Sequence, residues 1–427
     1  MVRVKLVRTI NCLLAIALLV ANSACARAQV AVSRQTRGRI AIRAARMLDV
    51  GSGQLINDAV VVVENDRIAA AGSRLAVPAG ARIIDLGDVT ILPGLIDAHT
   101  HITYHFDERG FFGLTNDRSA AIALARSKDD ARRTLEAGYT TIRNLGAGGG
   151  VDLQLRDAIR RGETRGPRIL ASGAPLTSDQ LEGASNVAER VRAIREFVAA
   201  RIGEGADVIK IFEGVDAQGA PLFSSMEVHA AVEEAARSHL KVAVHAHEAA
   251  AIKAAIEGGC ASIEHGTYLD KEAIRLLVEH HTALVPTLYL PTHYIEHKKQ
   301  FAFDDSTWEF FERLRSHNLD NLRTARKSGV WVVAGSDAVA GLHGENAREL
   351  EWLVKAGMAP AEALRAATID AARLLGIGDE TGEIKTGKLA DIIAVAGDPL
   401  RDITALQHVS FVMKAGAVVR GVGASPE

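Results

Sequence analysis

Between residues 95 and 337 the apolar positions fall into two alternating patterns. Short, nearly continuous apolar runs occupy residues 95–102, 140–145, 168–172, 207–212, 241–246, 261–265, 283–288 and 330–337. Runs of this kind read as strands buried on both faces. Between them lie longer stretches with apolar residues at helical spacing, clearest at 186–202, 225–238 and 305–328. Strand and helix in strict alternation predict parallel βα units, and eight strands predict an α/β fold of the (β/α)8 TIM barrel type.

The two ends of the chain read differently. Residues 40–48, 59–63, 67–71 and 82–86 are short β-rich runs broken by turn residues, and similar runs return at 390–396, 409–415 and 417–420. Two sequence-distant β segments that flank an α/β body combine most simply into one small β-sandwich. The expected division is therefore a composite sandwich from 38–91 and 380–423, around a barrel at 92–379. No internal repeat of solenoid length is present.

Composition narrows the class. The chain has 427 residues, 48% hydrophobic and 24% charged, which excludes disordered and collagen-like chains. Arg3, Lys5 and Arg8 precede an apolar run at 10–21, and Ala26-Arg27-Ala28 is a small-x-small site. That is the pattern of a cleaved signal peptide over residues 1–28, the apolar run being too short for a spanning helix. The expected location is periplasmic or secreted, with no membrane attachment after cleavage. Acylation at Cys25 is the lesser alternative, because Asn22 stands where such a box wants an aliphatic residue. Loss of Arg3, Lys5, Arg8 and Arg27 moves the formal charge from −2 to −6, so nothing points to nucleic acid. Cys260 is then the only cysteine, and no internal disulfide can form.

Chemistry concentrates at the C-terminal ends of the expected strands, where βα loops build a barrel's pocket. His99 and His101 end the first, Lys210 lies near the end of the fourth, His245 closes the fifth, His265 the sixth and Asp337 the eighth. Two residues apart on a strand, His99 and His101 share a face and could grip one cation. A lone His-x-His is weak, but here it follows Leu92-Pro93-Gly94-Leu95-Ile96-Asp97-Ala98.

This segment resembles the first barrel strand of the amidohydrolase superfamily. Residues 381–392, Thr-Gly-Glu-Ile-Lys-Thr-Gly-Lys-Leu-Ala-Asp-Ile, resemble that family's return into its small sandwich. The resemblance implies two divalent metal ions, with zinc the expected identity. His99, His101 and Asp337 would hold one, and His245 and His265 the other. Lys210 would bridge them as a carbamate, which forms only from a neutral amine and so suits a lysine flanked by apolar residues. Either His245 or His247 could be the ligand; the resemblance assigns His245 and leaves His247 facing substrate. It further implies a metal-activated water attacking a carbonyl, with Asp337 carrying the proton and His247 or Tyr289 helping the oxyanion.

Within the superfamily the chain looks most like the imidazolonepropionase-like and Xaa-Pro-dipeptidase-like branch, through 243–247, 262–267, 285–288 and 335–338. The expected reaction is hydrolysis of an amide C–N bond in a small molecule, a dipeptide or N-acyl amino acid. A lactonase or esterase on the same site is the alternative, and a non-catalytic scaffold the non-enzymatic one. Where relatives carry a glycine-rich loop with a histidine for the substrate carboxylate, this chain has Ala174-Pro175-Leu176-Thr177-Ser178-Asp179-Gln180-Leu181. Tyr104, His105, Tyr268, Tyr289, His293 and His343, just beyond strand ends, are the candidate substrate contacts. A homo-oligomer is compatible with the sequence and not implied by it.

Overall fold

The structure, a computed structural model, describes residues 38–106, 110, 112–113 and 120–422; the expected signal peptide lies outside them. The chain opens with β1 (Ile40–Asp49), β2 (Gln54–Glu64), β3 (Arg67–Ser73), β4 (Arg82–Asp85) and β5 (Val89–Pro93). The α/β body follows, with β6 (Leu95–His101), a short hairpin of β7 (His105–Phe106) and β8 (Phe112–Gly113), then β9 (Tyr139–Asn144), β10 (Arg168–Ala171), β11 (Ile209–Phe212), β12 (Val242–Ala246), β13 (Ser262–His265), β14 (Ala283–Val285) and β15 (Ala338–Val339). The chain then returns through β16 (Ile392–Ala396), β17 (Phe411–Lys414) and β18 (Ala417–Arg420).

The two ends do combine. They form one eight-stranded sheet in the order β18-β17-β16-β5-β1-β2-β3, with β4 also on β1. The joint is β5, which sequence pattern did not single out: it runs parallel to β1 and antiparallel to β16. The sheet also bends far enough for its β3 edge to bond the segment before β16, Ile68 N–H to Lys388 O and Ala390 N–H to Asp66 O, both 2.8 Å. Ile42, Val61, Ile68, Ile392 and Phe411 are buried together in one apolar cluster inside this bend.

In the body, β10-β9-β6-β15 and β11-β12-β13-β14 are two four-stranded parallel sheets. Two parallel bridges lie beyond these strands, Leu176 with Ile211 and Leu284 with Val332. Helices alternate with the strands, and several of their starts are capped by side chains. The Asn186 side chain accepts from Glu189 N–H ahead of Val187–Gly203, and Asp304 does the same for Thr307 ahead of Asp305–Lys327. Ser224 and Glu227 close a capping box before Ser225–Ala236. Among the described residues no helix is long and apolar enough to cross a membrane.

The last two expected strands are shorter than the apolar pattern suggests. β14 ends at Val285, where Pro286 lacks a donor and Thr287 turns to φ 48°. Residues 330–337 carry a single bridge at Val332, and strand geometry resumes only at Ala338. This segment is still tightly held: Ala98 N–H donates to Ala334 O at 3.0 Å and Asp337 N–H to His99 O at 2.8 Å. What breaks the ladder is the left-handed backbone of Asp337, φ 54°, next to a close approach at Gly335.

A Cβ at Gly335 would stand 2.4 Å from Val285 Cγ1 and 2.9 Å from the His99 backbone nitrogen. Gly335→Ala should therefore cost about 1–3 kcal/mol in urea unfolding. Gly183→Ala, in open space, should stay within about 0.5 kcal/mol. Equal stability of the two variants would contradict this account of the close approach.

Candidate metal centre

Strand ends bring the ligand candidates together. His99 and His101 leave the same face of β6, His245 and His265 end neighbouring strands β12 and β13, and Asp337 is tied to β6 by its own backbone. His99 Nε2 and His101 Nε2 lie 3.2 Å apart, and Asp337 Oδ1 lies 3.4 Å from each. Atoms bound to one ion at about 2.1 Å, with near-tetrahedral angles, stand about 3.2–3.4 Å apart. The triangle therefore has the dimensions of one face of a metal coordination shell.

Two further groups overlap at His265. The ligand atoms of His99, His265 and Asp337 lie within 4.8 Å of one another, and so do those of His245, His247 and His265. The structure thus places His247 beside His245 at the same distance scale, with ring centroids 4.7 Å apart. Lys210 sits on β11 with its side chain fully buried, and Nζ has no hydrogen-bond partner. Burial drives its pKa down to about 8, against the pull of Glu264 and Asp337, so a neutral amine is within reach near neutral pH. His99, His101, His245, His265 and Asp337 converge, and Lys210 lies near enough to interact electrostatically with all five. The donor set of imidazoles and a carboxylate suits a divalent transition metal.

Several partners were not recognised from the sequence. Glu264, with no solvent exposure, accepts from His99 Nδ1 at 2.8 Å, from Arg143 Nη2 at 2.9 Å and from Ser262 Oγ. Burial would raise its pKa, but Arg143 and His99 overcome that and hold it down at about 2. An ionised Glu264 can only accept, so the His99 proton sits on Nδ1 and the Nε2 lone pair faces the cluster. Asp97 accepts from the backbone N–H of His99 (3.1 Å) and Ser336 (2.9 Å) and from Asn346 Nδ2 (2.8 Å), locking the Asp337 segment to β6. Arg143 had a readable signal: a charge inside an apolar strand must find a buried partner. The partner's position was not readable.

Left-handed backbone also gathers here. His265, Thr287 and Asp337 have φ of 73°, 48° and 54°, conformations that a β-branched residue in particular resists. Thr287 Oγ1 meets His265 Nδ1 at 2.7 Å, and Thr267 Oγ1 meets His247 Nδ1 at 2.8 Å, so both rings are oriented from behind.

A cavity of about 470 Å3 opens on the cluster, lined by His101, His245, His247, His265 and Asp337 on one side and by apolar and aromatic side chains on the other. Of the six candidate substrate contacts only Tyr104 lines it, stacked on His101 with ring centroids 4.5 Å apart. His105 turns instead to Asp130 (3.5 Å) and Ser127 (3.4 Å). Tyr268 packs edge-on to His317, and Tyr289 gives its hydroxyl to Glu296. His293 packs against His297, and His343 is fully buried, its pKa pressed down to about 3 by desolvation. All six follow strand ends in sequence, yet the direction of each side chain is set by the turn after the strand. Leu176 and Leu181, in the segment that departs from the relatives' glycine-rich loop, are buried in the main core.

Burial holds His99 and His247 down at about 4 and pushes His101, His245 and His265 well below 6.5. Between 6.5 and about 4 the unfolded chain therefore binds protons that the folded chain does not. Buried carboxyls such as Asp337 and Glu349, raised to about 8, act in the opposite sense, so the histidine contribution is read by difference: relative to His247→Asn, the metal-free protein should lose stability as pH drops through that window. Thermal unfolding between pH 7 and 4 measures this; parallel curves for the two proteins would contradict it.

Residues 90–420 match the Amidohydrolase family. Ochratoxinase of Aspergillus niger is 30% identical over 450 aligned positions, covering 94% of this chain and 91% of that protein. Its crystal structure superposes with a TM-score of 0.78 at 28% identity, covering 91% of this chain and 97% of that one. The crystal structure of a Xaa-Pro dipeptidase with methionine bound in the active site superposes with a TM-score of 0.82 at 33% identity, covering 90% of this chain and all of that one. A match across more than three quarters of the sequence, with polar clusters at the ends of the strands, assigns the chain: it is a hydrolase and belongs to the amidohydrolase family.

Proposed function

We propose that this protein is a metal-dependent amidase that hydrolyses a C–N bond in a small molecule, a dipeptide or an N-acyl amino acid being the starting class. The parallel strands 95–339 are read as one (β/α)8 barrel, the two bridges at Leu176 and Val332 joining its two sheets, with the terminal strands as the composite sandwich. The observation that carries the functional reading is the buried triangle of His99 Nε2, His101 Nε2 and Asp337 Oδ1, with sides of 3.2, 3.4 and 3.4 Å.

His99, His101 and Asp337 would hold one divalent ion, zinc being the expected metal, and His245 and His265 a second. His247 stands close enough to serve either as ligand or as a contact to substrate. Lys210 would join the two as a carbamate, its neutral amine taking up carbon dioxide and releasing a proton. A divalent ion held by these residues would supply an acidified water and would polarise a substrate carbonyl.

The chain's own groups do the rest. Burial, helped by Asp97 and Glu264 and opposed by Lys210, pushes Asp337 up to about 8, and neighbouring cations would pull it back toward a carboxylate able to take a proton and return it to the leaving amine. Glu264 keeps His99 in the tautomer whose Nε2 can bind. Tyr104 braces His101, and the apolar far wall of the cavity keeps bulk water from the reacting bond. Export to the periplasm or medium is also proposed, resting on the N-terminal sequence alone.

Metal analysis and a screen of dipeptides and N-acyl amino acids test the reading. Exhaustive chelation should abolish hydrolysis and divalent metal should restore it; full turnover after chelation would end the proposal. Lys210→Ala should lower the bound metal and cut kcat by more than about 100-fold. Unchanged metal content and rate would remove the bridge. Asp337→Asn should lower kcat by at least about 100-fold with a much smaller change in KM, and an unaltered kcat would free Asp337 from proton transfer.

A further inference from the structure

We infer that the cavity seats an uncharged aromatic substituent of the substrate, and that Asn318 reads a hydrogen-bonding group carried on that substituent. The inference rests on the amidase reading above and names the chemical class of substrate it would take.

Aromatic residues are sparse, 4% of the chain, yet Phe301, Phe303, Trp308, Phe310 and Phe311 crowd into eleven positions. The fold divides them into two roles. Phe303, Phe310 and Phe311 line the cavity with Tyr294, while Trp308 packs behind, its ring 5.3 Å from Phe303. The lining rings support one another at angles: Tyr294 and Phe311 are 4.8 Å apart at 34°, and Phe303 and Phe311 are 5.3 Å apart at 67°. Interlocked rings of this kind form a stiff wall that favours a flat, rigid guest.

The wall begins where the chemistry is. Phe310 meets His247 edge-on at 5.6 Å, and Phe212 tilts against His245 at 5.1 Å. A ring seated here would therefore adjoin the bond to be cleaved. Among the described residues that line the cavity there is no lysine or arginine, so a free carboxylate lodged in this half would lack a cationic partner.

Asn318 is the independent observation. On the helix Asp305–Lys327 it follows Leu314 by four residues and Phe311 by seven, so all three share one face. That face is otherwise apolar and turned to the cavity. Asn318 is 6% exposed and lines the cavity, and its Oδ1 has no hydrogen-bond partner. A buried amide group without a partner is costly, and its oxygen and nitrogen can exchange places, so it can meet either a donor or an acceptor. A hydroxyl or N–H on the rim of an aromatic ring is the group that this position would satisfy.

The test uses the metal-loaded protein and amides of one amine with acetyl, benzoyl, 3-hydroxybenzoyl and 4-hydroxybenzoyl groups, together with acetanilide and its hydroxylated forms. Aryl substrates should exceed their alkyl counterparts in kcat/KM by at least about tenfold, and Phe310→Ala should shrink that ratio. One hydroxylated ring should exceed its parent by about tenfold, an advantage that Asn318→Leu, or Asn318→Ser should the first fail to fold, removes. Binding of benzamide and 4-hydroxybenzamide, followed by calorimetry, supplies a readout that needs no turnover. Equal kcat/KM for alkyl and aryl amides, or hydroxyl selectivity indifferent to residue 318, would overturn the inference and leave the amidase reading standing. Selective probe binding that Asn318→Leu abolishes, with no amide hydrolysed, would support the aromatic site and overturn the amidase reading instead.

Discussion

One ionised carboxylate, buried without solvent, organises the centre of this molecule. Glu264 on β13 meets the Arg143 guanidinium from β9 and the His99 imidazole from β6, and so ties together strands that belong to two different four-stranded sheets. A charge in such a place is tolerable only when its partners are fixed, and removing one partner would leave it uncompensated at a cost of about 3–5 kcal/mol. The need to satisfy Glu264 therefore positions Arg143 and His99 together. Glu264 in turn fixes the His99 tautomer on which the metal reading depends.

Around this charge the protein tolerates features that a purely structural core would avoid. His265, Thr287 and Asp337 hold left-handed backbone, Lys210 Nζ and His101 Nδ1 are buried without partners, and five imidazoles are crowded and desolvated. Each is unfavourable in isolation, and they share one place. Such crowding is the expected signature of a site built for a ligand rather than for stability. The hydrogen bonds that Asp97 accepts from His99, Ser336 and Asn346 hold the arrangement against relaxation.

The cavity joins this polar floor to an aromatic wall supplied by a different part of the chain. The helix Asp305–Lys327 places Phe310, Phe311, Leu314 and Asn318 over the histidines, and the segment before it adds Phe303. On the proposed reading, reaction type and substrate choice are carried by separate elements. Strand ends supply the former and the wall supplies the latter, a division that lets a shared catalytic floor accept different molecules.

The sequence by itself determined the alternation of strand and helix and the return of the terminal β segments to one another, because both are written locally, while its resemblance to the family supplied the six ligand candidates. Apolar runs record burial, and His-x-His records a shared strand face. Tertiary structure alone decided what depends on two distant segments at once. It made β5 the joint of the terminal sheet, cut the expected strands at 283–288 and 330–337 short through Thr287, Gly335 and Asp337, and paired Arg143 with Glu264. It also turned His105, Tyr268, Tyr289, His293 and His343 away from the cavity while bringing Asn318 and the clustered phenylalanines into it. A side chain's direction after a strand is set by the packing of whatever lies across from it, and no local pattern of residues encodes that neighbour.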